Sequence, residues 1–223
     1  MRTKLLSYFA LTVIVSVSTT GYAKEPKNLA VTKESLIKYH DSGEYQKDQA
    51  KTIDQAMQYL KTRLDSEKKS GDHKKLAIVL DIDETSLSNY PDMVAMGFGG
   101  TPQQINDAIA KGKDPVIAPT LELYRYAKAN NVAVFFITGR PEPARALTEH
   151  NLATAGYLNW DSLTLRPVDY HEKTIAIYKT KAREDVEKQG YDIVLNIGDQ
   201  QSDLAGKHAD KAFKLPNPYY FLP

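Results

Sequence analysis

Residues 76–85 read LAIVLDIDET, a short apolar run that ends in two aspartates, a glutamate and a threonine. An uninterrupted apolar run of this length, following Gly71, is typical of a strand buried on both faces of a parallel sheet. Open α/β sheets bind their ligands beyond the carboxyl ends of such strands. The stretch therefore predicts a central strand with Asp81 and Asp83 at the edge of the sheet where a ligand would bind.

Two further apolar runs have the same character, VAVFFI at residues 132–137 and IVLNI at residues 193–197. Helical stretches are predicted between and around them, at about residues 119–129, 143–155 and 174–189, with weaker strands near residues 163–165 and 212–215. Alternation of strands and helices predicts an α/β fold with a central parallel sheet flanked by helices.

The segments on either side of the first predicted strand are expected to be helical additions to one domain, residues 24–223. Residues 24–71 form a helical lead-in, because Ile53, Met57, Leu60 and Leu64 have the spacing of one helical face. Residues 86–118 break the alternation and are expected to form a small cap insertion over the sheet's edge. Within it, TPQQ at residues 101–104 predicts a capped helix start.

The composition indicates one ordinary globular domain and excludes several classes of function. Of the 223 residues, 42% are hydrophobic and 26% are charged, and 29 basic residues nearly balance 28 acidic ones. Without a basic excess, nucleic acid is not an expected partner. The absence of cysteine excludes disulfides, thiolate metal sites and cysteine nucleophiles. The histidines lack an H-x-x-x-H spacing, which argues against zinc.

The N-terminus is expected to be a secretory signal peptide, residues 1–23. Arg2 and Lys4 precede a mainly apolar run at residues 5–17, and small residues at 21–23 flank a cleavage point. The run is interrupted by polar residues and is shorter than the roughly 20 residues that a membrane span needs. The mature protein is therefore expected in the periplasm or outside the cell, without attachment to the membrane.

Polar side chains follow all three predicted core strands. They are Asp81 and Asp83, then Thr138 and Gly139, then Asp199 and Asp203. Each group alone has a structural explanation, such as a turn or a helix cap, but three such groups at one edge of a sheet are hard to explain independently. Several carboxylates at one edge repel each other unless a cation neutralises them. Ligands that are all oxygen indicate a hard cation such as Mg²⁺.

Four motifs together resemble the signature of the haloacid dehalogenase (HAD) superfamily, namely D-x-D-x-T at residues 81–85, T-G-R at 138–140, a helical lysine, and G-D-x-x-x-D at 198–203. More narrowly, ITGRPE at residues 137–142 and KLPNP at 214–218 are similar to the acid phosphatase branch, which includes bacterial secreted acid phosphatases and plant vegetative storage proteins. The similarity extends from about residue 30 to the end. It implies a Rossmann-like HAD fold and an acid phosphatase.

The resemblance implies a role for each motif residue. Asp81 would attack phosphorus and become an aspartyl phosphate, while Asp83 would act as general acid and then as general base. Thr138, Gly139 and Lys179 would bind the phosphoryl oxygens. Three other basic residues near the same helix are alternatives to Lys179, which is preferred because it follows a tyrosine as in the family. These alternatives are Lys173, Lys181 and Arg183.

The resemblance also implies a Mg²⁺ site and a substrate class. The side chains of Asp81 and Asp199 and the backbone carbonyl of Asp83 would bind the ion, and Asp203 would orient a bound water. The substrates would be small phosphate monoesters of broad structure. Three aromatic residues are candidates for stacking on the leaving group, although core or surface packing is the favoured explanation for each. They are Tyr90, Phe98 and Tyr157.

Two other functions stay open at this stage. A non-catalytic binding or storage protein would need neither Asp81 nor Asp83, and the presence of both favours an enzyme. A phosphotransferase would use the same aspartyl intermediate with an alcohol in place of water, and the sequence does not distinguish it from a hydrolase.

Overall fold

A computed structural model describes residues 23–71 and 74–222 of the chain. The expected signal peptide, residues 1–23, lies outside this range except for its last residue. Within the described ranges, no helix combines the length and the apolar character needed to cross a membrane.

A five-stranded sheet with the strand order β3-β2-β1-β4-β5 forms the centre of the fold. The strands are β1 (Lys75–Leu80), β2 (Ala133–Pro141), β3 (Ser162–Arg166), β4 (Tyr191–Gly198) and β5 (Lys211–Lys214). Each neighbouring pair is parallel, and Leu80 of β1 pairs with Phe136 of β2 and Ile197 of β4. The carboxyl ends of β1, β2 and β4 therefore lie side by side, and the predicted α/β fold with a parallel sheet is confirmed.

Helices cover both faces of this sheet. They are α1 (Leu29–Asp41), α2 (Glu44–Ser70), α3 (Tyr90–Ala95), α4 (Pro102–Lys111), α5 (Ala118–Ala129), a 3₁₀ turn (Glu142–Ala144), α6 (Arg145–Thr154), α7 (Ile175–Lys188) and α8 (Gln201–Leu204). Alternate residues of β1 face opposite layers, since Ile78 and Leu80 pack with α2, α5 and α6 while Ala77 and Val79 pack with α7.

The helical lead-in consists of two helices rather than one. The break lies between α1 and α2, where Gly43 has φ of +80°, a conformation that glycine adopts without a steric cost. Ile53, Leu60 and Leu64 are buried against the sheet as their spacing predicts, and Met57 is partly buried. Helix α2 is thus part of the core, whereas α1 buries none of its residues.

The insertion at residues 86–118 contains α3 and α4, and its two ends meet beside the first motif. The backbone N–H of Ile117 donates to the carbonyl oxygen of Ser86 at 3.0 Å. The predicted helix start is confirmed, because the side chains of Thr101 and Gln104 form a reciprocal capping box. The insertion therefore begins and ends at the edge of the sheet that carries the polar residues.

Strand β2 extends further than its apolar run predicts. It does not end at residue 137 but continues to Pro141, so that Thr138, Gly139 and Arg140 belong to the strand. The reason is pairing with β3, which shifts register after Ile137 and resumes where Pro141 lies opposite Arg166.

Candidate active site

Three buried carboxylates form an acidic cluster at the carboxyl edge of the sheet. Asp81 follows β1, Asp199 follows β4, and Asp203 lies on the short helix α8. One oxygen atom from each lies within 4.8 Å of the others. Each residue is less than a tenth exposed. The positions that the motif spacing placed at one sheet edge are therefore brought together.

Lys179 bridges two members of the acidic cluster. Its Nζ lies 2.5 Å from Oδ1 of Asp81 and 2.6 Å from Oδ1 of Asp203. Burial alone would lower the pKa of Lys179, but the two carboxylates outweigh it and hold this pKa above its ordinary value. The two carboxylates therefore favour the charged form of this buried lysine, which is the residue preferred among the basic candidates in the sequence. Of the alternative basic residues, Arg183 donates instead to the backbone carbonyl oxygen of Asp203, at 2.7 Å.

One lysine against three carboxylates leaves an excess of buried negative charge. Burial raises the pKa of Asp81 well above its ordinary value, and Asp203 and Asp199 add to the effect against the opposing charge of Lys179. Burial, followed by the charge of Asp203, raises the pKa of Asp199 to about 7. Buried oxygen ligands with unneutralised charge are what a hard divalent cation requires, so the residues present are suited to bind one.

Two amide side chains fix the orientation of Asp199. Oδ2 accepts hydrogen bonds from Nε2 of Gln200 and from Nδ2 of Asn217, both at 2.7 Å. Among the described residues, Oδ1 accepts one hydrogen bond, from the hydroxyl of Thr85 at 3.4 Å. Asn217 belongs to the KLPNP stretch, which sequence reasoning used for the resemblance without assigning the asparagine a role.

Asp83 lies beside the acidic cluster but is held by different partners. Nε and Nη2 of Arg140 both donate to its carboxylate, the shortest contact being 2.7 Å, and Nδ2 of Asn89 donates to Oδ1 at 2.8 Å. Burial would raise the pKa of Asp83, but the charge and hydrogen bonds of Arg140 and the hydrogen bond from Asn89 hold it below its ordinary value. Nη2 of Arg140 also donates to buried Asp114, at 2.8 Å. Arg140 therefore fixes the carboxylate of Asp83, which stands two residues after Asp81 in the sequence. The other partner of Arg140, Asp114, lies near the end of the insertion.

The second motif supplies small and buried groups next to these carboxylates. Thr138 is fully buried, and its Oγ1 accepts a hydrogen bond from the backbone N–H of Arg140 at 3.1 Å. The carbonyl oxygen of Gly139 accepts one from Nε of Arg166. Gly198, at the end of β4, has no room for a side chain, because an added Cβ would lie 2.4 Å from Cβ of Asp203. The glycine of the last motif is thus required by the close approach of Asp203.

Glu84 is a second buried acid of the first motif, and sequence reasoning gave it no role. It is fully buried with φ of +51°, and its carboxylate accepts hydrogen bonds from the backbone N–H of Asn89 and from the hydroxyl of Tyr220. Burial raises the pKa of Glu84 to about 8, although the hydrogen bond from Tyr220 opposes the shift. Glu84 therefore joins the start of the insertion to the C-terminal segment.

The aromatic candidates have different surroundings. Tyr157 is fully buried in the main core, and its hydroxyl donates to the carbonyl oxygen of Ser86, so core packing, the explanation favoured for it, is confirmed and stacking on a substrate is excluded. Tyr90 is also buried, with its ring between His40 and Tyr219, which leaves little surface for a ligand. Phe98 is partly exposed and packs on the ring of Tyr219.

The residues that sequence reasoning missed join distant parts of the chain. Asp114 and Asn217 have no local pattern that would mark them, and they become visible only when packing brings them to Arg140 and Asp199. Arg140 belongs to the T-G-R motif, and its position there, with no role assigned to it, was the signal in the sequence that could have identified it.

Comparison with known proteins agrees with this geometry. Residues 6–223 match the family model described as HAD superfamily, subfamily IIIB (acid phosphatase). The chain is 32% identical to the stem 28 kDa glycoprotein of Glycine max over the whole of both chains. It is 36% identical to acid phosphatase 1 of Solanum lycopersicum over 68% of this chain and 61% of that protein.

A solved structure gives the same family. The class C acid phosphatase of Bacillus anthracis superposes with a TM-score of 0.68 at 25% identity, covering 86% of each chain. A family model that spans nearly the whole sequence, relatives above 30% identity and this structural match agree with one another. The chain belongs to subfamily IIIB of the HAD superfamily, the acid phosphatases, and by that membership it is a phosphomonoesterase.

Proposed function

We propose that the protein is an exported, Mg²⁺-dependent acid phosphatase that hydrolyses small phosphate monoesters through an aspartyl phosphate on Asp81. One observation supports this above all. Asp81 lies buried at the end of the central strand, 2.5 Å from Lys179 and two residues before Asp83, which Arg140 holds in place. Neither a structural turn nor a storage protein requires a buried nucleophile next to a carboxylate that an arginine fixes in place.

In the first step a carboxylate oxygen of Asp81 attacks phosphorus, and the bond from phosphorus to the ester oxygen breaks. Protonated Asp83 gives its proton to the departing alcohol oxygen, which leaves Asp83 as a carboxylate. Because Arg140 holds the pKa of Asp83 below its ordinary value, this step requires the anionic phosphoryl group nearby, which favours the protonated form, and it is favoured at acidic pH. In the second step Asp83 takes a proton from water, the water oxygen attacks phosphorus, and the bond to Asp81 breaks. Phosphate leaves, and both aspartates return to their starting state.

Fixed cationic and polar groups would stabilise the charge that builds on the phosphoryl oxygens. Lys179 and the neighbouring Thr138 and Gly139 would bind these oxygens at the edge of the sheet. The side chains of Asp81 and Asp199 and the backbone carbonyl of Asp83 would hold Mg²⁺, with Asp203 orienting a bound water. The cation, when bound, would screen the anionic nucleophile from the anionic substrate.

The leaving group would lie toward the insertion. Phe98 is the more accessible of the two aromatic candidates and would contact the leaving group directly, whereas Tyr90 is buried and would contribute through packing. Both contacts would accept many leaving groups, consistent with broad specificity. A related enzyme from Bacillus anthracis has been solved with the oxyanion tungstate bound, which supports an oxyanion site in this fold.

Export is proposed from the N-terminal sequence, with residues 1–23 removed as a signal peptide. Arg2, Lys4 and the apolar run support it, and one relative is a stem glycoprotein. N-terminal sequencing of the protein from its native host would show Lys24 as the first residue, whereas a retained Met1 would contradict cleavage.

Phosphate release from p-nitrophenyl phosphate tests the proposed function. The wild type should release phosphate with Mg²⁺, and both chelation and Asp81→Asn should abolish release while the fold is retained. A wild type that is inactive at acidic and neutral pH with Mg²⁺ would favour the storage protein instead. Glycerol added to the assay distinguishes the third possibility, since a phosphotransferase would form glycerol phosphate.

A further inference from the structure

The C-terminal tail, residues 216–222, runs beside the acidic cluster and contacts it through side chains. Asn217 donates to Oδ2 of Asp199 at 2.7 Å, and the hydroxyl of Tyr220 donates to Glu84. Gln200, next to Asp199, also binds the tail, because its Oε1 accepts from the backbone N–H of Leu222 at 3.2 Å. The tail is thus joined to the site at several points.

The amide of Asn217 has only one orientation that satisfies its partners. Its Oδ1 accepts hydrogen bonds from the backbone N–H groups of Tyr219, at 2.9 Å, and Tyr220, at 3.4 Å. A flipped amide would present N–H groups to those donors, so Nδ2 must face Asp199. The side chain therefore both shapes a turn in the tail and donates to the acidic cluster.

This contact decides which oxygen of Asp199 remains for a cation. Oδ2 receives two amide donors, from Asn217 and Gln200, whereas within residues 23–71 and 74–222 the one donor to Oδ1 is the hydroxyl of Thr85 at 3.4 Å. The donors hold the carboxylate in one orientation and leave Oδ1 as the oxygen free to bind a cation.

Aromatic packing keeps the tail rigid next to the site. Tyr219 is buried, and its ring centroid lies 5.2 Å from that of Tyr45 on α2 and 5.3 Å from that of Tyr90 on α3. Aromatic pairs at such distances stabilise a fold beyond the contribution of their buried area. Asn217 is therefore presented to Asp199 by a fixed turn.

We propose that Asn217 is a positioning residue for the divalent cation, acting through Asp199. This inference rests on the proposed function, since it requires that the acidic cluster binds the ion. Loss of a group that orients a metal ligand typically weakens metal affinity 10- to 100-fold. We expect a loss of about that size from removing the Asn217 amide donor.

Two substitutions separate the positioning role from the role in the turn. Asn217→Asp keeps an oxygen that accepts from the backbone of the tail but places a carboxylate against Asp199. Asn217→Ala removes both interactions. Ser202→Ala is the matched control, because among the described residues the Ser202 hydroxyl has one hydrogen bond, which it donates to the carbonyl oxygen of Leu222 in the same tail at 3.4 Å.

The readout is the binding of Mn²⁺ alone, followed by electron paramagnetic resonance of the free ion and by competition with Mg²⁺. We expect Asn217→Asp and Asn217→Ala to bind Mn²⁺ about 10- to 100-fold more weakly than the wild type, and Ser202→Ala to bind it normally. Circular dichroism confirms that each variant is folded. If Asn217→Asp does not fold, normal Mn²⁺ binding by Asn217→Ala would still overturn the inference.

The possible failures are distinguishable. If Asn217→Asp binds Mn²⁺ as the wild type does, Asn217 serves only the turn, and the inference is overturned while the proposed function stands. If the wild type itself binds no Mn²⁺, the cation of the proposed function is refuted and the inference falls with it.

Discussion

Arg140→Leu should destabilise the protein by leaving Asp114 as a buried charge without a cation. The arginine side chain is 1% exposed and that of Asp114 is 3% exposed, and they are joined at 2.8 Å. Breaking a buried ion pair by removing one partner costs about 3–5 kcal/mol. For a domain of this size, about 2–4 °C of melting temperature corresponds to each kcal/mol, so the melting temperature should fall by about 6–20 °C.

The loss of stability in Arg140→Leu should also increase with pH. Burial raises the pKa of Asp114 above its ordinary value in spite of Arg140, and removing Arg140 raises it further. A carboxyl group with a raised pKa in the folded state favours folding when protonated, and that contribution is lost as pH rises through the raised pKa. Arg140→Leu should therefore be more destabilised near pH ~8 than near pH ~5.

A second substitution tests whether the unpaired charge of Asp114 causes the loss of stability. Asp114→Asn in the Arg140→Leu background removes the charge and keeps an oxygen that accepts from Nδ2 of Asn151. Directly coupled residues show interaction energies of about 0.5–3 kcal/mol, and the double variant should recover a loss of this size near pH ~8. Scanning calorimetry of both variants measures it, with Arg145→Leu, which breaks surface ion pairs, as a control expected to lose about 1 kcal/mol or less. A double variant no more stable than Arg140→Leu would refute the reasoning.

Three further predictions follow from the same geometry. Lys179→Met should lower the rate of phosphate release about 10²–10³-fold, whereas Lys181→Met on the exposed side of the same helix should not; equal rates for the two variants would contradict the role of Lys179. Gly198→Ala should lower both the melting temperature and the activity, because the new Cβ would collide with Asp203. If calorimetry and an activity assay show no change, the site has room for this Cβ and the reasoning is wrong. Mg²⁺ at about 100 times its dissociation constant should stabilise the protein by about 2.7 kcal/mol, and a melting temperature that is the same with Mg²⁺ and with chelator would argue against a cation at the acidic cluster.

The three central strands could be predicted from sequence because they are mainly apolar runs. Burial on both faces moves most polar residues to the strand ends, so the same pattern located Asp81 and Asp199 at one edge. The end of β2 was not predictable in this way, since Thr138 to Arg140 are held in the strand by pairing with β3 rather than by their own composition. The break at Gly43 was missed because apolar spacing marks a helical face but not where one helix ends.

The surroundings of the site depend on contacts between distant parts of the chain, and these were not predictable. Asp83 and Arg140 are separated by 57 residues, and Glu84 and Tyr220 by 136. No local pattern specifies which polar side chain packing will bring to a buried acid. The motif positions were therefore predictable, whereas the groups that orient them required the structure.

Trapping the phosphorylated enzyme tests the central claim most directly. With p-nitrophenyl phosphate as substrate, Asp83→Asn should slow the second step more than the first, because p-nitrophenolate leaves without a proton whereas the group that takes a proton from water is gone, so the aspartyl phosphate accumulates when this substrate and Mg²⁺ are supplied. Acid quenching followed by peptide mass spectrometry should then show a phosphoryl group on Asp81. Turnover of substrate by the wild type, with no phosphoryl group on Asp81 in either protein or with one on another residue, would contradict the account.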